Sequence, residues 1–195
     1  MPTVLSHVAI PLAVGVGLGT GVVPRRLMIA GVIASVLPDL DVIGLRMGIA
    51  YGHAFGHRGV SHSLLFAAVL AALACLSAPL LRSTRLAAAV FIGLCSASHG
   101  VLDMFTNGGL GVELWWPFSE ERVFAASRVI EVSPLSLHRV FSGRGLAVLQ
   151  SELLWVWLPA AAAGLALLAV RRPGSNLSIE PVRPGKPGPA GDVQY

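Results

Sequence analysis

LAAAVFIGLCSASHGVLDMF, residues 86–105, is a run of twenty residues whose only ionisable side chains, apart from the thiol of Cys95, are His99 and Asp103. An α-helix needs about 20 mostly apolar residues to cross a bilayer. Arg85 stands immediately before the run, so the stretch reads as a membrane span with a charged boundary. The rest of the chain agrees. Of 195 residues, 54% are hydrophobic and 12% charged, about half the ~25% charged content of an ordinary soluble domain. The mean hydropathy is +0.74. These values exclude a soluble globular domain, a disordered chain and a nucleic-acid binder built on a basic surface. The net charge of +4 comes from 14 Lys and Arg, spread over the ends of apolar runs, where they set topology.

Outward from that run, four more stretches match. Val4–Val23 is closed by Arg25 and Arg26, and Leu27 to Ile43 is interrupted by Pro38-Asp39-Leu40-Asp41. Val60–Leu81 lies between Arg58 and Arg82, and Leu153–Val170 runs from Trp155 and Trp157 to Arg171 and Arg172. The expected fold is an all-α, polytopic membrane helix bundle of five transmembrane helices over residues 1–170. The first stretch lacks a positive leader and contains His7 and Pro11, so it reads as a retained helix, not a cleaved signal. Residues 107–149 are mixed and predict an extramembrane loop, with Trp115-Trp116-Pro117-Phe118 at the interface and an amphipathic helix over Glu120–Val132. The Pro- and Gly-rich residues 171–195 predict a disordered tail. Five crossings put the Arg25-Arg26, Arg82/Arg85 and Arg171-Arg172 ends on one side. By the positive-inside rule that side is cytoplasmic, in a multi-pass protein of the plasma (inner) membrane. Cys75 and Cys95 read as small packing residues without a disulfide. Alternating Gly15, Gly17, Gly19 and Gly21 suit close helix packing.

An ionisable group inside a membrane helix costs about 2.5–3.5 kcal/mol on insertion scales and is a functional candidate by default. The inventory is His7, Asp39, Asp41, His62, His99 and Asp103, with His53, His57 and Arg58 just before the third span. At about 1.5 Å rise per residue, the six lie roughly 20–28 Å above their cytoplasmic boundaries. Polar groups that merely glue helices have no reason to share a level. Taken singly, His99 and Asp103 suit an internal pair, Asp39 or Asp41 a helix cap at Pro38, and His7 packing. Taken together they point to metal or proton chemistry, whereas His53 and His138 read as ordinary loop residues. His99 and Asp103, spaced i, i+4, share a helix face, and the break at Pro38 lets both Asp39 and Asp41 turn inward if the segment is extended. Gly59 suits a positive φ, and Ser61 suits a cap for the following helix. Mixed imidazole and carboxylate donors favour zinc first, then manganese or iron. No H-E-x-x-H or G-x-S-x-G string occurs.

His57-Arg58-Gly59-Val60-Ser61-His62-Ser63, preceded by Pro38-Asp39-Leu40-Asp41 and followed by His99 and Asp103, resembles the YdjM-like family of membrane-bound metal-dependent hydrolases. His7, Thr106 and Asn107 fit the pattern, and the resemblance runs over roughly residues 1–120. It implies a helical membrane hydrolase, with metal-binding candidates His7, Asp39, Asp41, His57, His62, His99 and Asp103. Arg58 and Asp41 are the candidate catalytic residues. Seven ligands allow one or two divalent ions, and a pair about 3.5–4 Å apart suits phosphoester cleavage. The expected chemistry is a metal-activated hydroxide attacking an ester or phosphoester of a lipid-like substrate, near the non-cytoplasmic face. Arg58 would grip the anionic group, and Ser61, Ser63, Thr106 and Asn107 would orient ligands. Membrane lipids are the expected partners and nucleic acid is not. A metal-ion or proton transporter, or a membrane protein with a structural metal, are the alternatives.

Overall fold

In the computed structural model, which describes residues 1–133 and 143–171, the chain is all-α, built from five helices. These are α1 (Val4–Leu18), α2 (Arg25–Arg46), α3 (Leu64–Leu76), α4 (Arg85–Met104) and α5 (Gly143–Val170). By length and composition α2, α4 and α5 are able to cross a membrane, whereas α1 and α3 are shorter apolar helices. The expected first and third spans are therefore shortened. Gly19, at φ 74°, ends α1, because a left-handed residue cannot continue a right-handed helix. Ser63 rather than Ser61 caps α3, accepting from the Phe66 amide at 3.1 Å. Its C-terminal end gives way at Ser77 to a turn containing Pro79. The last helix starts ten residues before the expected Leu153, at Gly143 (the first described residue of that segment), and loosens to a π-helical stretch over Leu153–Trp157.

The break at Pro38 takes a form of its own. The chain does not become extended; it tightens into a 3₁₀ turn over Leu37–Asp41 and then resumes α-helix to Arg46. The missing N–H of Pro38 cannot supply an i→i−4 bond, and the tighter winding turns Asp39 and Asp41 to different partners.

α4 packs against α2 and α3 around Leu27, Ala34, Ala74, Ala88, Phe91 and Cys95. Between helices in lipid, close approach at small residues replaces the hydrophobic drive of soluble cores. A Cβ on Gly31 would lie 2.3 Å from the Phe91 ring, and one on Gly17 would lie 2.9 Å from the Gly164 carbonyl of α5. Cys75 and Cys95 are free thiols. At one end of the bundle, Arg26 donates to the Leu80 carbonyl at 3.1 Å, and the Arg171 guanidinium lies against Gly19. The Arg25-Arg26 turn, the turn before α4 and the end of α5 thus share one end. The ionisable residues gather at the other.

Residues 107–133 hold no helix, so the amphipathic helix expected over Glu120–Val132 does not form. That segment doubles back in extended form, with bridges Thr106↔Ile130 and Val112↔Val123. Its β-branched Val123, Val129, Ile130 and Val132 favour extended backbone. Val112, Glu113, Leu114 and Ile130 are buried beneath it, while Trp115 and Phe118 are exposed. His138 and residues 172–195, including the expected tail, lie outside the described residues.

Candidate metal centre

Five segments supply the site. α1 brings His7, the 3₁₀ turn of α2 brings Asp39 and Asp41, and the loop before α3 brings His57, Arg58 and His62. α4 brings His99 and Asp103, and the segment after it brings Thr106 and Gly108. His7, His57, Arg58, His62, His99 and Asp103 are all buried. Donor atoms of Asp39, His62, His99 and Asp103 lie within 4.8 Å of one another, and so do those of Asp41, His57 and His62. His62 belongs to both groups, one ring nitrogen facing each.

The hydrogen bonds fix which nitrogens carry protons. His99 Nδ1 lies 2.7 Å from the Ser35 carbonyl. A carbonyl only accepts, so Nδ1 donates and Nε2 keeps its lone pair. Ser61 Oγ donates to Asp41 Oδ2 at 2.7 Å and sits 3.0 Å from His62 Nδ1. His62 Nδ1 also lies 3.2 Å from that carboxylate oxygen, so it too is the donor there. The two Nε2 atoms then face each other at 3.0 Å. Around them stand Asp39, 3.4 Å from His99 Nε2, and Asp103, 3.4 Å from His62 Nε2. Among the described residues the Asp39 carboxylate has no hydrogen-bond partner, whereas Asp103 Oδ2 is also 3.0 Å from Arg58 Nε. Two imidazole nitrogens and two carboxylates converging at this spacing are a ligand set that fits a divalent ion.

His7 stacks on His99 with centroids 3.7 Å apart, and its Nε2 is 3.7 Å from Asp103 Oδ1. Both His7 nitrogens lack a hydrogen-bond partner. Asp41 differs from Asp39: it accepts from His57 Nδ1 at 2.6 Å, from the Arg58 amide at 3.1 Å and from Ser61. Its oxygens are occupied by donors, which is the position of a carboxylate that orients imidazoles.

Arg58, expected to grip a substrate anion, has its guanidinium committed within the protein. Nε lies 3.0 Å from Asp103 Oδ2, Nη1 donates to the Gly108 carbonyl at 2.8 Å and Nη2 to Thr106 Oγ1 at 2.9 Å. The left-handed residue in the His-Arg-Gly string is Arg58, at φ 63°, whereas Gly59 has φ −89°. Gly59 is required for another reason: a Cβ there would lie 1.9 Å from the Ala54 carbonyl. Asn107 stands apart from the ligands, accepting from the Val132 amide. Exposed His53 stays in its loop and accepts from Phe55. Burial pushes the Tyr51 phenol, beside Gly109 and Arg58, above its ordinary pKa.

A match to the YdjM inner membrane protein family spans residues 1–174. The chain belongs to the YdjM family. The match extends well past residue 120 and includes the refolded segment and α5. It is also 46% identical over 160 residues to the inner membrane protein YbcI of Escherichia coli (strain K12), covering 82% of this chain and 92% of that one. It is accordingly an inner membrane protein. No solved structure matches it.

Three acidic or basic side chains that build this YdjM-family site carry no motif in the sequence. Arg122 donates to the carbonyls of His57 at 3.0 Å, His53 at 3.2 Å and Tyr51 at 3.3 Å, and pairs with buried Glu113 at 2.8 Å. The Glu113 amide in turn donates to the Arg58 carbonyl at 3.0 Å. Glu152 of α5, 1% exposed, bonds the Thr3 amide and, at 2.6 Å, the Thr3 hydroxyl, so it holds the start of the helix bearing His7. A charged residue within a long apolar helix was the available signal for Glu152. Arg122 and Glu113 have none, because Arg122 reaches backbone carbonyls distant in sequence and Glu113 is held by Arg122 itself.

Proposed function

We propose that this chain is a membrane-embedded, metal-dependent hydrolase acting on an ester or phosphoester of a lipid-like substrate. The observation that carries the reading is the convergence of His62 Nε2 and His99 Nε2, 3.0 Å apart, with the Asp39 and Asp103 carboxylates, their donor atoms all within 4.8 Å of one another. A divalent transition ion, zinc by preference, would be held by His62, His99, Asp39 and Asp103, and would supply Lewis acidity toward a carbonyl or phosphoryl oxygen. The chain's own residues set up the rest. Ser35 and Asp41 hold the two imidazoles in the tautomer that bares Nε2. Arg58 positions Asp103 on one oxygen and leaves the other toward His7. His7, with two free nitrogens beside Asp103, is the group best placed to take or return a proton. In this reading residues 1–170 form five membrane crossings, and the arginine-rich end is cytoplasmic, which places the site near the non-cytoplasmic face.

A transporter would need polar groups continuing through the bundle. Between α2, α3 and α4 the core toward the arginine end is Val23, Leu27, Ala74, Ala78, Ala88 and Phe91, which disfavours that alternative. The test is metal content of the detergent-purified full-length protein, by elemental mass spectrometry, beside the His99→Ala and Asp39→Ala variants. One or two equivalents in wild type, lost in both variants, support the site and justify a screen of phospholipid and polyprenyl-phosphate substrates. A folded wild type that is metal-free and refuses reloading refutes the hydrolase reading.

A further inference from the structure

The 3₁₀ turn of α2 and the start of α3 leave a groove between them of about 410 Å³, within the ~300–1,000 Å³ range of small-molecule sites. Leu37, Pro38, Leu40, Phe55, Val60 and Phe66 line it, and its only ionisable or hydroxyl-bearing side chains are those of Asp41 and Ser61. Those two are bonded to each other at 2.7 Å and both face His62 Nδ1. One imidazole ring therefore separates the polar end of the groove from the Nε2 atoms of the metal centre. At the rim, Leu40 is 57% and Phe55 63% exposed. Ile33 and Ile43 on α2 and Leu65 on α3, the two helices that form the groove, are exposed as well, and in an inner membrane protein exposed apolar side chains on membrane helices meet lipid. Other apolar crevices of the bundle lack this connection: the one between α1 and α5 and the one between α3 and α4 contain none of the site residues.

We propose that this groove seats the hydrocarbon chain of a bilayer lipid and presents the lipid's ester or phosphoester to the site from the membrane side. The proposal rests on the hydrolase reading and adds to it the groove that seats the substrate's chain and the direction of entry. An apolar wall gains nothing by excluding lipid chains it already borders. What makes the groove selective is that a chain seated in it has one polar exit, at Asp41 and Ser61. A water-soluble ester would instead have to cross the lipid-facing rim at Leu40 and Phe55.

The test uses the full-length protein in vesicles of phosphatidylethanolamine and phosphatidylglycerol doped with phosphatidylethanolamine bearing a diazirine on its acyl chain. After illumination, labelled residues are mapped by peptide mass spectrometry, and bound metal is measured on the same sample. The expected result is a severalfold excess of label on Phe55, Val60 and Phe66 over Leu165 and Leu168 of α5. Val60→Trp, which fills the groove, should abolish that excess while retaining metal; Leu165→Trp should change neither. Equal labelling of the two faces in wild type overturns the proposal, whether or not Val60→Trp folds. Undiminished groove labelling in a folded Val60→Trp variant overturns it as well. Preferential labelling of a protein that holds no metal sustains the groove and refutes the hydrolase reading. Uniform labelling of a metal-loaded protein does the reverse.

Discussion

Replacing Arg122 by Met tests whether the segment after α4 builds the metal centre or merely covers it. Arg122 pairs with Glu113 at 2.8 Å, and Glu113 is 2% exposed. Removing one partner of a buried pair leaves an uncompensated charge and costs about 3–5 kcal/mol. The three carbonyl bonds of Arg122 are lost too, but two of them, at 3.2 and 3.3 Å, are long, and water reaches a side chain that is 11% exposed. The pair therefore dominates, and the whole substitution should cost about 3–5 kcal/mol. Glu113→Gln keeps an acceptor for Arg122 and should cost less, about 1–3 kcal/mol. The double variant should fall short of the sum by about 1–3 kcal/mol, the coupling expected of residues in one network. Reversible unfolding by SDS in mixed micelles, followed by circular dichroism, gives all four corners of the cycle. Because Arg122 holds the His57 carbonyl, Arg122→Met should also weaken metal binding in the folded fraction. Additive single effects, or a loss under about 0.5 kcal/mol for Arg122→Met, would refute the reasoning.

Three further comparisons, each of two substitutions, probe the same geometry. Gly100→Ala places a Cβ 2.4 Å from the His62 carbonyl, which should cost about 1–3 kcal/mol as overpacking and lower metal affinity in a chelator competition. Gly93→Ala on the same helix, where the nearest atom is the Ala71 side chain at 3.1 Å, should leave that affinity unchanged. Asp41→Asn should keep the metal with an affinity about 10–100-fold weaker, the usual effect of losing an orienting partner. Asp39→Asn should lose it outright, and equal loss in both would make Asp41 a ligand. Glu152→Ala removes the acceptor for Thr3 ahead of α1, and thermal unfolding should register a destabilisation of about 1–2 kcal/mol. Thr3→Val in the Glu152→Ala background should then add little.

Much of the centre was legible because the bilayer makes polar residues conspicuous. His99 and Asp103 in an otherwise apolar twenty-residue run, and the common depth of His7, Asp39, His62 and His99, were enough to pick out the residues that the fold gathers at one end of the bundle. The roles within the set were not. Asp39 and Asp41 are two residues apart and look alike in sequence, yet one is bare and the other carries donors from His57, Arg58 and Ser61. Arg58 looked like a free cation and is an internal partner of Asp103. Ser61 looked like a helix cap, but Ser63 caps and Ser61 bonds Asp41. Glu120–Val132, expected as an amphipathic helix within the loop, is extended instead, because charged and apolar residues alternate there loosely enough to suit either period.

Composition and hydropathy settle the solvent, and the solvent settles a helical fold, since a chain in lipid must satisfy its backbone internally. Residue type settles the chemistry available at one end of the bundle, imidazole and carboxylate, and the glycines settle where helices approach. Which ring nitrogens face each other depends on Ser35, Asp41 and Ser61 reaching rings on other segments. Which buried charges are neutralised within the protein depends on Arg58 reaching Asp103 on α4 and on Arg122 reaching Glu113. Those pairings are set by distance in space, and no local periodicity encodes them.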